Sequence, residues 1–125
     1  MGKKYSFERL EVYQDARSYV GQVYGLTNIF PEKERYALSM QLQRAAISVI
    51  SNIVEGTSRS SDKEKSRFIE IAYGSLLETY CQLQVAQDLQ YISHEKLNEL
   101  QLNYIDKIAN KLSALKKHYT LHTTH

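Results

Sequence analysis

The residues with the greatest chemical potential lie between Gln41 and Glu78, where polar side chains recur at helical spacing inside apolar runs. Gln41, Arg44, Ser48, Asn52 and Glu55 step by three or four residues and so share one helix face. Arg67, Gly74, Ser75, Glu78 and Gln82 form a second arc. Two chemistries could use such groups. Glu55 and Glu78 could form a carboxylate pair, and glutamates with histidines could hold a metal. Short Ser, Asn and Gly residues shield little from water, so the stripe specifies either a contact between helices or a site.

Each chemistry makes a further demand. A di-iron site in a helical bundle needs Glu-x-x-His on two helices, and no Glu here stands three positions before a His. His118, His122 and His125 recur at helical spacing, but at a chain end that is expected to fray, and His94 falls at a surface helix start. Cys81 lies among apolar residues with no obvious activating base, which fits a half-buried structural thiol. The five glycines form no phosphate-binding loop. The expectation is no catalytic residue, no metal and no cofactor. Whether the two carboxylates can cooperate depends on where the helices put them.

A chain of 125 residues has the length of one domain and can bury about two-thirds of its unfolded surface. A net charge of +2 supplies no global field to hold nucleic acid or an anionic membrane. The single cysteine cannot form an internal disulfide and suits a reducing cytoplasm. The N-terminus lacks an apolar leader, and no run approaches about 18 apolar residues, so neither a signal peptide nor a membrane span is expected.

One proline, few glycines and many strong helix formers favour long helices. Helix 1 is expected from Phe7 or Leu10 to Asn28, with Val12, Tyr13, Ala16, Val20, Val23 and Tyr24 inward. Pro31 then sits in the first turn of helix 2, where Glu32 and Glu34 complement the helix dipole. Helix 2 runs to Glu55, with Gly56 as a left-handed stop. Its apolar residues, Ile47 included, cover half the circumference or more, so it must touch two neighbours. Ser61 and Glu64 form a capping box for helix 3, which continues to Tyr91, and Ser93 caps helix 4. On helix 4, Leu97, Leu100, Tyr104, Ile108, Leu112 and Leu115 share one side. The expected fold is all-α, an antiparallel up-down-up-down four-helix bundle over residues 1–119, with a frayed tail over 120–125.

In the helix 2–3 hairpin, residues at equal height have numbers with a constant sum. Glu55 with Arg67, Arg44 with Glu78, and Ser48 with Gly74 all satisfy the same sum. The two carboxylates therefore stand about 16 Å apart, too far for paired acid–base work. The same register predicts inter-helix ion pairs Arg44–Glu78 and Glu55–Arg67 around a close approach of Ser48 and Gly74. If these charges instead face water, each pair contributes about 0–1 kcal/mol. The alternation of charge with small residues favours partial burial.

Several stretches resemble a known family. They are Phe7-x-x-Leu10-x-Val12-Tyr13 and Phe30-Pro31-x-x-Glu34-x-Tyr36-x-Leu38, followed by Gln41-Leu42-x-Arg44-Ala45-Ala46-x-Ser48-Val49-x-x-Asn52-Ile53-x-Glu55-Gly56 and Arg67-Phe68-x-x-x-Ala72-x-Gly74-Ser75-Leu76-x-Glu78. Over about residues 7 to 92 the chain resembles the four-helix-bundle proteins encoded by intervening sequences in bacterial 23S ribosomal RNA genes. Tyr13 stands where that pattern has a tryptophan. The resemblance implies an antiparallel bundle that assembles into a homo-oligomer, a pentameric ring. It also implies a distant similarity to accessory proteins of diversity-generating retroelements, which act with a reverse transcriptase and RNA. It supplies no catalytic residues.

For nucleic acid, one candidate cluster is Arg59, Lys63, Lys65 and Arg67 around the helix 2–3 loop, diluted by Asp62 and Glu64. The other is Lys107, Lys111, Lys116 and Lys117 on late helix 4, where no acid follows Asp106. Lys111 falls in that helix's apolar arc and must snorkel or meet an acid on a neighbour. In a monomer these lysines read as a solvated helix end matching its dipole, whereas a ring would multiply every patch into a phosphate-binding rim. Of the ten tyrosines, Tyr24, Tyr73, Tyr80 and Tyr104 fall inward, and Tyr119 beside Lys116 and Lys117 is the one fair base-stacking candidate. The expected function is a non-enzymatic, self-associating scaffold with RNA or an RNA-binding protein as candidate partner. The alternative is a nucleic-acid-binding accessory factor.

Overall fold

Stepping of apolar residues by three and four builds α1 (Glu11–Thr27), which buries Val12, Ala16, Tyr19, Val23 and Leu26 along one side. That stripe selects Tyr19 rather than Tyr24, which is exposed. A 3-10 turn, Ser6–Arg9, leads into the helix. The computed structural model describes residues 2–121.

Pro31 does not open the second long helix. It opens a separate 3-10 turn, Glu32–Glu34, and α2 spans Leu38–Ser58. The offset follows from Glu34, whose carboxylate accepts the Tyr91 hydroxyl at 2.7 Å and the Leu38 amide at 3.4 Å. Glu34 thereby caps α2 from outside the helix. At the other end, Gly56 is helical and not left-handed, since no described glycine has a positive φ. The helix stops at Arg59, which is extended.

Ser61 caps α3 (Asp62–Asp88) by accepting the Glu64 amide at 3.2 Å. The helix ends before Tyr91, because Gln90 turns left-handed at φ 65°. The amides of Gln90 and Tyr91 donate back to Gln87 and Ala86 at 2.9 and 2.8 Å, a Schellman closure with glutamine where glycine is usual.

The fourth helix is interrupted. Ser93 accepts the Lys96 amide at 3.0 Å and starts α4 (His94–Leu100), a π turn occupies Gln101–Ile105, and α5 spans Asp106–Leu121. Its buried residues are Leu97, Leu100, Ile105, Ile108 and Leu112. The step from Leu100 to Ile105 is one residue too long for an α-helical stripe, and the wider π turn absorbs it. Leu102 is left 61 % exposed. Thr120 and Leu121 continue α5; His122 and His125 lie outside the described residues.

α2 packs on α1 and α3, α3 packs on α5, and α1 closes the circuit against α5. The result is the up-down-up-down four-helix bundle expected from the sequence. No described helix is long and apolar enough to cross a membrane.

One polar pair sits in the core. Tyr19 donates its hydroxyl to Thr79 Oγ1 at 2.8 Å, and Thr79 donates to the Leu76 carbonyl at 2.6 Å. Both side chains are fully buried. Burial pushes the Tyr19 hydroxyl up to about 12. Folding thus favours the neutral phenol. Its contribution is complete below the unfolded value near 10 and is lost as pH rises through 12. Denaturant titrations across this range should show the wild type losing about 2–3 kcal/mol through Tyr19. Tyr19→Phe should cost about 1 kcal/mol at neutral pH and lack that component of the alkaline loss.

Candidate functional site

The middle of the polar stripe joins α2 to α3. Ser48 Oγ and Ser75 Oγ share a hydrogen bond at 2.8 Å. Asn52 Nδ2 donates to the Ser48 carbonyl at 2.8 Å and to Ser48 Oγ at 3.1 Å. All three side chains are half-buried. The register is one residue from the expected one, pairing Ser48 with Ser75 rather than with Gly74. Gly74 faces open space, and a Cβ there would meet nothing within 4 Å. The close approach occurs instead at Gly56, where a Cβ would lie 3.2 Å from Phe68 Cβ and 3.3 Å from the Lys65 carbonyl oxygen.

Neither expected inter-helix ion pair forms. Gln41, Arg44, Glu55, Arg67 and Glu78 are exposed, and no ion pair among the described residues joins Arg44 to Glu78 or Arg67 to Glu55. Glu55 holds Arg59 at 2.7 Å within its own helix end. The reason is steric: where glycine and serines draw two helices together, long side chains have no room in the seam and turn outward. Ile47, Ile71, Val85 and Leu89 accompany them on the outer surface, with 40–48 % of each exposed. Cys81, expected to be half-buried, is exposed there too.

The two basic clusters, remote in sequence, meet at one end of the bundle. Lys116 reaches Glu70 at 3.2 Å, and Ser66 and Thr120 share a hydrogen bond at 3.2 Å. Lys65 Nζ lies 5.5 Å from the centre of the Tyr119 ring, and the Arg59 guanidinium lies 4.6 Å from that of Phe68. Lys63, Arg67 and Lys117 are exposed beside them. Antiparallel topology brings the start of the chain to the same end. Residues 2–11, 55–70 and 111–121 together carry ten Lys or Arg and six Asp or Glu, against six and eight elsewhere. The bundle is therefore electrically polarised along its axis. Lys107 stands apart, about 15 Å of helix from Lys117. Lys111 is committed to Asp15, and that hydrogen bond raises its pKa. Burial, aided by Asp62, raises the Tyr119 hydroxyl.

Elsewhere the chemistry is sparse. A cavity of about 410 Å³ at the α1–α2 turn is lined by Thr27, Phe30, Arg35, Ser39 and Gln43 among others. One of about 300 Å³ beside the π turn includes Gln84, Asp88, His94, Asn98 and Gln101. Neither brings together two carboxylates. No group of three or more His, Cys, Asp or Glu among the described residues could hold a metal ion.

A family model described as 23S rRNA-intervening sequence protein matches residues 8–114. The chain belongs to this family. The matched span extends beyond the resemblance visible in the first three helices and takes in most of the fourth. Among solved structures, a protein of unknown function from the S23 ribosomal protein family of Bacteroides thetaiotaomicron is similar, with a TM-score of 0.77 and 20 % identity. The likeness covers 85 % of this chain and 95 % of that one, and at such identity it shows the fold alone. No curated protein matches the sequence.

The stripe and both basic clusters are visible in the sequence, but three couplings are not. These are Tyr19–Thr79, Glu34–Tyr91 and the contact of Gly56 with α3. The stepping Val12, Ala16, Tyr19, Val23 was a visible signal for the first. The other two depend on which helices are neighbours. The contrast between the glycines is measurable by chemical denaturation. Gly56→Val should cost about 1–3 kcal/mol by forcing α2 and α3 apart. Gly74→Ala should gain up to about 1 kcal/mol from helix propensity.

Proposed function

We propose that this chain is a non-enzymatic, homo-oligomeric helical scaffold, assembled as a pentameric ring in the cytoplasm. The observation that carries the proposal is the outer face of the α2–α3 hairpin. There the exposed Ile47, Ile71, Val85 and Leu89 alternate with Arg44, Arg67 and Glu78, none of which has an ion-pair partner among the described residues. On the same stripe of α3, Gln82 Oε1 is buried without a hydrogen-bond donor. Exposed apolar residues combined with uncommitted charges of both signs suit a protein interface. A pentameric ring needs heterologous contacts, so this face would meet a different surface of the next subunit.

A second reading is favoured by a separate observation, the convergence of Arg59, Lys63, Lys65, Lys116 and Lys117 at one end. In this reading the chain is a nucleic-acid-binding accessory factor whose basic end touches RNA phosphates. A ring strengthens it, because linked basic ends bind one polyanion with avidity.

Native mass spectrometry or light scattering at micromolar concentration tests the scaffold. A pentamer mass is expected, and Arg44→Glu or Glu78→Arg should weaken assembly about tenfold or more. A wild-type monomer would overturn it. For the second reading, structured RNA should bind at about 50 mM salt and lose affinity linearly with the logarithm of salt concentration. No binding under those conditions would exclude it.

A further inference from the structure

Building on the nucleic-acid reading, we propose that the basic end holds the phosphate backbone of double-helical RNA and leaves the bases unread. Two modes of binding make different demands on a surface. Single strands need a groove that tracks one backbone, with free aromatic faces for the bases. Duplexes need cations spread over a surface and no access to base edges.

The aromatic rings at this end are already engaged. Arg59 lies over Phe68 and Lys65 over Tyr119. Tyr5, although 57 % exposed, stacks on Phe7, with ring centres 6.3 Å apart, and carries Lys3 at 5.6 Å. Phe68 and Tyr119 are half-buried. A base stacking on the cation-bearing face of either ring would displace a cation that phosphate binding requires. One group cannot serve both purposes, so stacking and phosphate binding compete here.

The shape agrees. The cations stand on the ends of α2, α3 and α5, whose axes pack about 8–10 Å apart, so the charge spreads in two dimensions. The cleft at this end is lined by Leu10, Glu11, Val12, Ala114, Leu115 and His118, and its one lysine, Lys111, is taken by Asp15. That cleft offers a single strand no free lysine. A duplex, which presents two phosphate strands across a shallow minor groove, meets a matching array.

Fluorescence anisotropy on the full chain would compare an RNA duplex of about 16–20 bp, a duplex of scrambled sequence and poly(U) of equal length. At about 50 mM salt the two duplexes should bind within about twofold of each other and about tenfold or more above poly(U). Lys63→Glu with Lys117→Glu, both at exposed positions, should weaken duplex binding about tenfold and flatten its salt slope. Tyr119→Leu should leave duplex affinity within about twofold, because no base stacks there. Poly(U) binding as tightly as the duplexes would overturn the proposal while sparing the nucleic-acid reading. Binding of neither would end both.

Discussion

The close approach of α2 and α3 is the constraint from which the rest of the molecule follows. Gly56 lies against Phe68 and the Lys65 carbonyl, and Ser48 bonds Ser75 two helical turns further along. Together they fix the distance between the helices and their register. Small residues in the seam leave room for backbone and little else, so the stripe's charged side chains stand at its margins. The same packing sends apolar side chains from both helices into the core, where α1 and the fourth helix cover them. The polar stripe is thus a product of tight packing at its centre and a free surface at its edges.

A second constraint acts at the opposite end. Glu34 accepts hydrogen bonds from Tyr91 and from the start of α2, and so ties the α1–α2 connection to the segment after α3. Because Glu34 is engaged outside the helix, Pro31 and its neighbours form their own turn and α2 begins later. The hydrogen bond to Glu34 also raises the Tyr91 pKa. Both ends of the bundle are therefore pinned by side chains rather than by loop backbone alone.

Much of this was legible in the sequence, and the limits have physical causes. Helix number, order and pairing followed from apolar spacing and from the caps Ser61 and Ser93, because these are local properties. The α2–α3 register came within one residue, since a short loop leaves little freedom. The ion pairs failed because equal height does not imply equal direction: Arg44 and Glu78 can stand level and still both point to water. Gly56 was misjudged for a related reason. A glycine near a helix end has two uses, a left-handed stop and a close contact, and only the neighbouring helix distinguishes them. For the candidate site, both basic clusters could be seen in the sequence. Their union could not, because it depends on α5 ending where α3 begins.

The π turn at Gln101–Ile105 has a consequence for how the fourth helix behaves as a part. It separates two segments whose apolar stripes are out of phase by one residue, about 100° of rotation. Each segment therefore answers to its own neighbours, α4 at the top of the bundle and α5 along its lower length. The turn takes up that difference, so one continuous helical rod keeps Leu97 and Leu100 on the core in its upper half and Ile105, Ile108 and Leu112 on it in its lower half.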